Sequence, residues 1–415
     1  MPTKHRGPMR WAALLAASIG WACTDAPTGT PARPAPASLN AVKFWDALAT
    51  TRWNLRATDL LQFEQPAPPN GQAWASRMLT YLSLAQYHAV LDATAPSARP
   101  THASVSAAVA RASVVVLSHF YTGTPGYSRP AVPATLEQQF VADQSSAQWP
   151  GQAKKDVEAG DAIGRAAGEA AWNQAQIDGY NTATTAFNAM VASRPVGESY
   201  WVAGAGTIVR SLWGVRPFFL EPEDFLLSPA PPGLAELKEA ANEVYAIMTV
   251  GSGEQLAEQL RIANEWNRVA PNGPFTAGEW NRTADDLIRS HHRTEAHAAR
   301  ILAYANAAAF DAQIDCFTTK YTWWVPRPAQ LNPSIMTAFA TPNHPSYPSA
   351  HSCISSAFGA VLSDVFPSER RALNALVEEA GLSRVYAGIH YSFDVEVGQG
   401  VGRRAAAKAL AGSLE

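Results

Sequence analysis

The sequence predicts an all-α protein built as a large helical bundle. From Asn40 onward, apolar residues recur at helix-like spacing in almost every segment. Segments with the strict alternation of β-branched residues that is typical of strands are scarce. With 415 residues, 47% of them hydrophobic and 10% aromatic, the chain is long enough to bury a large core. We therefore expect one helical domain over residues 40–415, with an N-terminal helical half (40–280) and a second bundle (281–415).

The first 22 residues are predicted to be a signal peptide. Three basic residues precede an apolar stretch from Trp11 to Ala22, which is too short to span a bilayer. Cys23 follows directly and is a candidate lipid anchor, which predicts an exported protein that is either periplasmic or a membrane-anchored lipoprotein. Residues 23–39 are rich in Pro, Thr and Ala and are predicted to form a tether. The alternative to the signal peptide is a disordered tail that happens to be apolar.

The helices of the main domain follow from apolar periodicity, with Gly and Pro clusters such as QPAPPNG marking the breaks. Residues 195–232 are aromatic and irregular, and are too long for a simple connection. They are expected either to shape a pocket or to cover the core. Helices are predicted over residues 40–62, 74–93, 103–121, 136–148, 153–177, 234–250, 254–266, 283–316 and 352–366.

Charge and cysteine content exclude some classes of function. The net charge of −3 and the pI near 6.4 lack the basic excess of a nucleic-acid-binding protein. Past the N-terminus, no uninterrupted apolar run reaches the length of a membrane span. Cys316 and Cys353 could pair in an oxidising compartment or remain buried free thiols; we favour the thiols.

Three polar blocks between residues 320 and 394 carry the candidate chemistry. In KYTWWVPRP, Lys320 closes a helical run and Arg327 follows seven residues later, a spacing of two helical turns. Prolines on both sides of Arg327 favour an extended backbone there. Lysine binds an oxyanion as a point charge and arginine as a bidentate fork. By itself, such a pair is more often solvated than functional.

The second block, PSAHS, lies where an apolar helix is predicted to begin. The N–H groups at a helix N-terminus favour anions, so the Ser349 hydroxyl and the N–H of Ala350 could bind one. His351 would lie beside that anion. The alternative is an ordinary capping serine followed by an incidental histidine.

The third block, SRVYAGIHYSFD, adds the cation Arg384 and a histidine–carboxylate pair. His390 and Asp394 are four residues apart and would share one face of a helix. Asp394 could then accept a hydrogen bond from one ring nitrogen and leave the other basic, as a nucleophile or a ligand requires. A surface ion pair is the alternative.

Together, the blocks K-x6-RP, PSAH and SR-x5-H-x3-D resemble the three-part signature of one superfamily. It joins type-2 phosphatidic acid phosphatases, class A bacterial acid phosphatases and vanadium-dependent haloperoxidases. The chain is most similar to the soluble haloperoxidase branch, because segments such as RWNLRATDLL, AGEAAWNQAQIDG and WGVRPFFL also resemble it. The membrane phosphatases would show several apolar spans, and class A acid phosphatases are shorter. The resemblance implies the helical bundle of the vanadium haloperoxidase and acid phosphatase type.

The resemblance also implies a cofactor and roles for the residues. The cofactor would be vanadate, with His390 as the axial ligand of vanadium, Asp394 orienting His390, and His351 as acid–base. Peroxide bound to vanadate becomes electrophilic, and halide attack then gives a hypohalous acid. The other vanadate-binding groups would be Lys320, Arg327, Arg384, the Ser349 hydroxyl and the N–H of Ala350.

Two departures from the family pattern affect this site. Ala350 stands where the motif has Gly, which adds a methyl group near the anion and makes a positive φ costly. Pro326 stands where many relatives have Trp, and Trp323 or Trp324 could take its place. His344 and Trp324 are candidates for the halide or substrate pocket. Relatives with His at the position of His344 tend to oxidise bromide, so bromide or iodide is favoured.

Three functions therefore compete. The first is a haloperoxidase that uses vanadate, hydrogen peroxide and a halide. The second is an acid phosphatase that acts on phosphate monoesters, with His390 as the nucleophile, His351 as the proton donor and no vanadium. The third is a non-catalytic oxyanion-binding lipoprotein, with Ala350 as the mark of a relaxed site. We expect no nucleic-acid partner, and a membrane tether only through lipidated Cys23.

Overall fold

The computed structural model describes residues 48–95, 103–145 and 152–414 of the chain. Throughout these ranges the regular structure is helical, and the only β-type pairing there is an isolated bridge between Thr124 and Tyr127. The predicted all-α fold is confirmed. The predicted signal peptide, the tether and Cys23 lie outside the described residues.

The described helices vary from one turn to eight. Short 3₁₀ helices are present at Pro222–Asp224 and Pro367–Glu369. In chain order the α-helices are α1 (Ala49–Phe63), α2 (Gly71–Thr94), α3 (Val105–Gly123), α4 (Ala131–Ser145), α5 (Lys154–Gln176), α6 (Thr184–Ala192), α7 (Leu234–Thr249), α8 (Gly253–Glu265), α9 (Phe275–Ser290), α10 (Glu295–Trp323), α11 (Pro328–Leu331), α12 (Ala350–Val365), α13 (Arg370–Tyr386) and α14 (Ser392–Ala411).

Helix α3 is enclosed by α2, α4 and α5 in the N-terminal half. Three glycines of α5 at four-residue spacing, Gly160, Gly164 and Gly168, face α3. A Cβ atom at Gly164 would lie 2.1 Å from the carbonyl oxygen of Ala108, so the two backbones approach too closely for a side chain. By length and composition α3 could cross a membrane, but 72% of its most apolar window is buried within the protein. That burial is what a core helix of a globular domain requires.

Helix α12 forms the centre of the C-terminal half, between α10, α13 and α14. Its contact with α14 depends on two further glycines. A Cβ atom at Gly398 would lie 2.6 Å from the carbonyl oxygen of Ser349, and one at Gly402 would lie 2.4 Å from that of Cys353. These close approaches fix the N-terminal end of α12 against α14.

The single helix predicted over residues 283–316 is wrong, because two helices meet there. His292 has a positive φ of 51°, and the N–H of Arg293 donates to the carbonyl of Ile288, which ends α9. Thr294 then caps α10 by accepting the N–H of His297. The apolar periodicity continues on both sides of this break, so periodicity alone concealed it.

Four of the described helices, α6, α11, α13 and α14, lie outside the predicted ranges. Helix α6 is short, whereas α13 contributes Ser383 and Arg384 to the third polar block. Most other predicted helices agree with the structure within a few residues at each end. A larger difference is α4, which begins at Ala131 and not at residue 136.

The irregular segment 195–232 covers the core, which is one of the two purposes that the sequence left open. Three consecutive N–H groups, those of Phe218, Phe219 and Leu220, donate to the buried carboxylate of Asp311 at 2.8, 2.7 and 3.1 Å, which binds the segment to α10. Nearer its start, the N–H of Trp201 donates to the carbonyl of Trp324 at 2.5 Å. The segment therefore covers the core and also supports the first polar block from outside.

Candidate active site

The three polar blocks converge at one end of the C-terminal bundle. Each functional side chain lies at the end of a helix or directly beside it, where the backbone can turn the chain towards a common centre. Lys320 is in the last turn of α10, Arg327 caps α11, Ser349 caps α12, Arg384 is in the last turn of α13, and His390 and Asp394 lie at the start of α14.

His390 and Asp394 pair as predicted, but they do not share a helix. His390 lies in the turn before α14, Tyr391 is the cap residue, and Asp394 is in the first turn. The carboxylate also accepts the N–H of Tyr391 at 3.2 Å, so Asp394 caps the helix and binds the histidine together. The expectation of two residues on one helical face is therefore wrong.

The hydrogen bonds of His390 fix its tautomer. Its Nδ1 lies 2.7 Å from Oδ2 of Asp394, and its Nε2 lies 3.0 Å from Nη1 of Arg327. A guanidinium can only donate, so Nε2 accepts and the proton is on Nδ1, which donates to Asp394. Burial, followed by the charge of Arg327, lowers the pKa of His390 well below its usual value. The result is a neutral imidazole that presents a lone pair at Nε2.

Three cations are fully buried beside the two histidines: the charges of Lys320 and Arg327 act on His390, and that of Arg384 acts on His351. Lys320 is 0% exposed, and Arg327 and Arg384 are each 1% exposed. Among the residues that the structure describes, none of the three lies within ion-pair distance of a carboxylate, and Asp394 is the acid beside them. Three cations against one carboxylate leave two positive charges uncompensated. Because an uncompensated buried charge costs several kcal/mol, this excess indicates a site built for an anion.

Burial shifts the pKa of each charged group in the direction of its neutral form. It lowers the pKa of Lys320 to about 8, that of Arg327 to about 10 and that of Arg384 to about 9. It raises the pKa of Asp394 to about 6. At pH 7 all four groups still carry their charges. The site therefore keeps its positive excess near neutral pH.

Lys320 donates to backbone carbonyls in the second block. Its Nζ lies 3.0 Å from the oxygen of Pro345 and 2.7 Å from that of Ser346, and it also contacts the carbonyl of Pro348. These three bonds use all three donors of the ammonium group. Lys320 therefore holds the chain that leads into α12, besides contributing its charge.

The N-terminus of α12 supplies uncharged donors. The Ser349 Oγ accepts the N–H of Ser352 at 3.4 Å, which leaves its hydroxyl proton free to donate. In the described part of the chain, the N–H groups of Ala350 and His351 have no acceptor. Ala350 is helical and does not have a positive φ, so the backbone cost expected of an alanine here does not arise. Only its methyl group distinguishes the site from the glycine pattern.

His351 is held by a backbone carbonyl. Its Nε2 lies 3.2 Å from the carbonyl oxygen of Trp266, so Nε2 carries the proton and Nδ1 is an acceptor. Burial, followed by the charge of Arg384, lowers its pKa well below the usual value. The ring retains partial exposure, and Ala350 beside it does too, which makes this the side of the site nearest to solvent.

His344 belongs to the site, whereas Trp324 supports it from behind. Nδ1 of His344 lies 3.0 Å from Nη2 of Arg327 and 3.1 Å from the carbonyl oxygen of Pro345. Because a guanidinium only donates and a carbonyl only accepts, each tautomer of His344 uses one of these two contacts as a hydrogen bond. Trp324 is 4% exposed and packs against Trp201 and Tyr321 at ring distances of 5.9 and 5.3 Å. The structure gives Trp324 a packing role and places His344 directly on a cation.

Cys316 and Cys353 are both buried free thiols. Cys316 donates to the carbonyl of Pro348 at 3.7 Å, and burial raises the pKa of Cys353 well above its usual value. Protonated, buried thiols are poor nucleophiles. The structure therefore supports the reading of the pair as packing residues.

Sequence patterns missed two contributors. Ser346 lies 2.5 Å from Oδ2 of Asp394 through its hydroxyl. The C-terminal end of α8 supplies two carbonyls, that of Ala263 to Nη2 of Arg384 at 2.9 Å and that of Trp266 to His351. Carbonyls without a helical partner are expected at a helix C-terminus, where they favour cations. Ser346 lies directly before the motif YPSAHS, so its side chain offered a signal in the sequence, whereas the two backbone carbonyls did not.

The donor set indicates the kind of ligand. No group of three or more His, Cys, Asp or Glu side chains that could hold a metal cation is present among the described residues. Cations, N–H groups, a hydroxyl and one neutral imidazole nitrogen instead suit a tetrahedral oxyanion whose central atom faces Nε2 of His390. Vanadate and phosphate both fit this description.

Comparison with known proteins agrees with the motifs. Residues 298–411 match the sequence model of the PAP2 superfamily, which confirms the expected superfamily for that segment. No curated protein sequence matches the chain significantly. The fold is similar to that of a bacterial vanadium-dependent iodoperoxidase, with a TM-score of 0.68, 20% identity, and coverage of 88% of this chain and 95% of the other.

Bacterial vanadium-dependent chloroperoxidases are also similar in structure. The apo form has a TM-score of 0.60 at 14% identity and covers 85% of this chain and 96% of the other. The holo form has a TM-score of 0.61 at 13% identity, with coverage of 84% and 93%. At these identities the likeness establishes a shared fold over nearly the whole length of both chains.

Proposed function

We propose that this chain, whose residues 298–411 match the PAP2 superfamily and whose fold is that of vanadium-dependent haloperoxidases, is a vanadate-dependent haloperoxidase. The observation that carries the proposal is the excess of two positive charges in a fully buried site. When bound, vanadate activates hydrogen peroxide for attack by a halide ion. The protein contributes buried positive charge and two histidines of defined tautomer.

Each group in the site would have a distinct task. Nε2 of His390 would bind the central atom, and Asp394 would keep the proton on Nδ1. Arg327 and Arg384 would exchange their present neutral acceptors for the oxyanion oxygens, while Lys320 would add charge from behind. The Ser349 hydroxyl and the N–H of Ala350 would bind the remaining oxygens.

His351 would move the proton that the reaction requires. In the structure it is neutral, with an acceptor nitrogen at Nδ1. A bound anion would bring negative charge next to the ring and raise its pKa, which allows it to take up and return a proton near neutral pH. Its partial exposure gives that proton a path to solvent.

The expected halide is bromide or iodide. In the tautomer of His344 whose Nδ1 accepts from Arg327, Nε2 would carry a proton and donate to a halide or to peroxide. The similarity to an iodoperoxidase, at 20% identity, is compatible with this expectation. Chloride is harder to oxidise and would require a more strongly polarised site.

Phosphate monoester hydrolysis is the second candidate, and the geometry of His390 favours it as a specific alternative. The unprotonated Nε2, supported at Nδ1 by Asp394, is a nucleophile ready to attack phosphorus. His351 would protonate the leaving alcohol oxygen, and water would then hydrolyse the phosphohistidine to inorganic phosphate. This reaction needs no vanadium.

One experiment separates the two candidates from simple anion binding. The protein is purified in phosphate-free buffer, and bromide, iodide and chloride oxidation with vanadate and peroxide is compared with p-nitrophenyl phosphate hydrolysis. Halide oxidation that requires vanadate supports the proposal. Hydrolysis without halide oxidation assigns the phosphatase, and inactivity in both assays indicates a binding protein. His390→Ala should abolish the activity, whereas exposed His297→Ala should not.

A basic N-terminal region, the apolar stretch from Trp11 to Ala22 and the following Cys23 are typical of an exported lipoprotein. We propose that the chain is exported and anchored to a membrane through Cys23. Mass spectrometry of the mature N-terminus tests this: a diacylglyceryl mass on Cys23 supports the anchor, and an unmodified Cys23 or a start further along the chain excludes it.

A further inference from the structure

Ser346 links all three polar blocks. Its N–H donates to the carbonyl of Val325 at 2.9 Å, and its own carbonyl accepts from Nζ of Lys320 at 2.7 Å. Its hydroxyl reaches Oδ2 of Asp394 at 2.5 Å. The first block is thus bound through the Ser346 backbone and the third through its side chain. The second block follows three residues later at Ser349.

The direction of the hydroxyl bond is fixed. An ionised carboxylate can only accept, so Ser346 donates its single proton to Asp394. Oδ2 also accepts Nδ1–H of His390 at 2.7 Å and the N–H of Tyr391 at 3.2 Å, while the buried Oδ1 has no partner. One carboxylate oxygen therefore accepts three hydrogen bonds, and the shortest of them comes from Ser346.

We infer that Ser346 is a positioning residue for His390, which holds Oδ2 of Asp394 where it keeps the imidazole proton on Nδ1 and presents Nε2 to the oxyanion. The inference concerns the site on which the proposed function rests, and it applies to either reaction. Ser346 is fully buried at 0% exposure and therefore does not touch solvent. Its effect would pass through Asp394 and not through contact with the substrate.

Ser346 would act by restricting the rotation of the Asp394 carboxylate. Rotation about the terminal torsion of Asp394 is weakly restricted, and Oδ1 is free of partners. Without the Ser346 hydroxyl, Asp394 could turn or shift, and its bond to Nδ1 of His390 would lose alignment. The alternative tautomer would place a proton on Nε2, where it would face the Nη1 donor of Arg327 and could not bind a central atom.

Substitution of Ser346 should affect rate more than binding. Loss of a residue that orients a ligand typically lowers activity roughly 10–100-fold, and we expect Ser346→Ala to lower kcat by a factor in this range. The three cations and the α12 N–H groups stay in place, so KM and the affinity for inorganic phosphate should change less than about threefold. Ser346→Thr keeps the hydroxyl and should restore most of the rate.

A spectroscopic readout does not depend on activity. In 15N-labelled, vanadium-free protein, the ring nitrogens of His390 are assigned by comparison with His390→Gln, and their chemical shifts report the tautomer. The parent and Ser346→Thr should show protonated Nδ1. Ser346→Ala should show a mixture or the Nε2–H form. Ser356→Ala is the matched control, because it removes a buried hydroxyl that donates to the carbonyl of Gln399 on α14, away from His390.

The outcomes are distinguishable from failure of the proposed function. If the parent neither oxidises halide nor hydrolyses phosphate esters, the proposed function fails, but the nitrogen shifts still test Ser346. A Ser346→Ala protein with an unchanged Nδ1–H signal overturns the inference. So does a folded Ser346→Thr protein that shares the defect of Ser346→Ala. Equal losses of kcat and phosphate affinity would also overturn it, because they indicate collapse of the whole site.

Discussion

Arg384 tests whether the buried charge serves an anion or the fold. Burial lowers its pKa from the usual arginine value to about 9, a difference worth about 5 kcal/mol at most. Because pH 7 lies below both values, this cost is fully present there and is lost only as the pH rises through about 9. The two hydrogen bonds of the side chain, to Ser383 and to Ala263, offset about 3–6 kcal/mol. The cost of burying the Arg384 charge and the stabilisation by its hydrogen bonds therefore nearly cancel.

Arg384→Met should therefore unfold at nearly the same urea concentration as the parent in anion-free buffer, within about 2 kcal/mol. The difference should appear on adding inorganic phosphate. A ligand at a hundred times its Kd stabilises the parent by about 2.7 kcal/mol. Loss of one charge-assisted contact weakens binding roughly 10–100-fold, so the variant should gain about 0.4–1.4 kcal/mol at the same phosphate concentration.

The assay is urea unfolding followed by circular dichroism at pH 7, with and without phosphate. The conservative variant Arg384→Lys keeps a charge but loses the planar fork, and should lie between the parent and Arg384→Met. If Arg384→Met is destabilised by about 3–5 kcal/mol in both buffers, Arg384 is a structural cation. The buried positive charge would then serve the fold and not an anion.

Three further predictions follow from other contacts. Lys320 loses its proton as the pH rises through about 8, so phosphate affinity measured by calorimetry should fall roughly tenfold from pH 7.5 to 9; a flat profile contradicts this. Trp266→Phe removes the indole bond to Glu379 at 2.8 Å, so the Trp266 carbonyl would hold His351 less firmly. This change should lower kcat roughly 10-fold and leave phosphate affinity unchanged. Gly402→Ala should destabilise by about 1–3 kcal/mol in urea, and Gly400→Ala, where a Cβ would meet only the side chain of Arg404 at 3.7 Å, should not.

The sequence predicted the fold class and the membership of the site because both depend on local, repeated signals. Helical periodicity identified most helices, and the fixed order of the three blocks identified Lys320, Arg327, Arg384 and His390 before any geometry was known. The break at His292 was missed because a positive φ at one residue hardly changes the periodicity of its neighbours. Helix α13 was missed although it supplies Arg384.

Other parts of the site could not be predicted, because they depend on backbone groups brought together by the fold. The carbonyls of Ala263 and Trp266 contact Arg384 and His351 through their position and not through side-chain identity. The shared oxygen of Asp394 is similar, since nothing in the sequence indicates that Ser346 and His390 would meet on one atom. The tautomer of His390 likewise required knowing that Arg327 faces Nε2.

The excess positive charge of Lys320, Arg327 and Arg384 has a consequence for which ion the protein would bind in its natural surroundings. A cage selected by charge and tetrahedral shape discriminates weakly between vanadium and phosphorus at its centre, so its content follows the ratio of ion concentrations. An exported protein would exchange with the ions around it. Its halide oxidation would then report local vanadate relative to phosphate, with abundant phosphate acting as a reversible inhibitor.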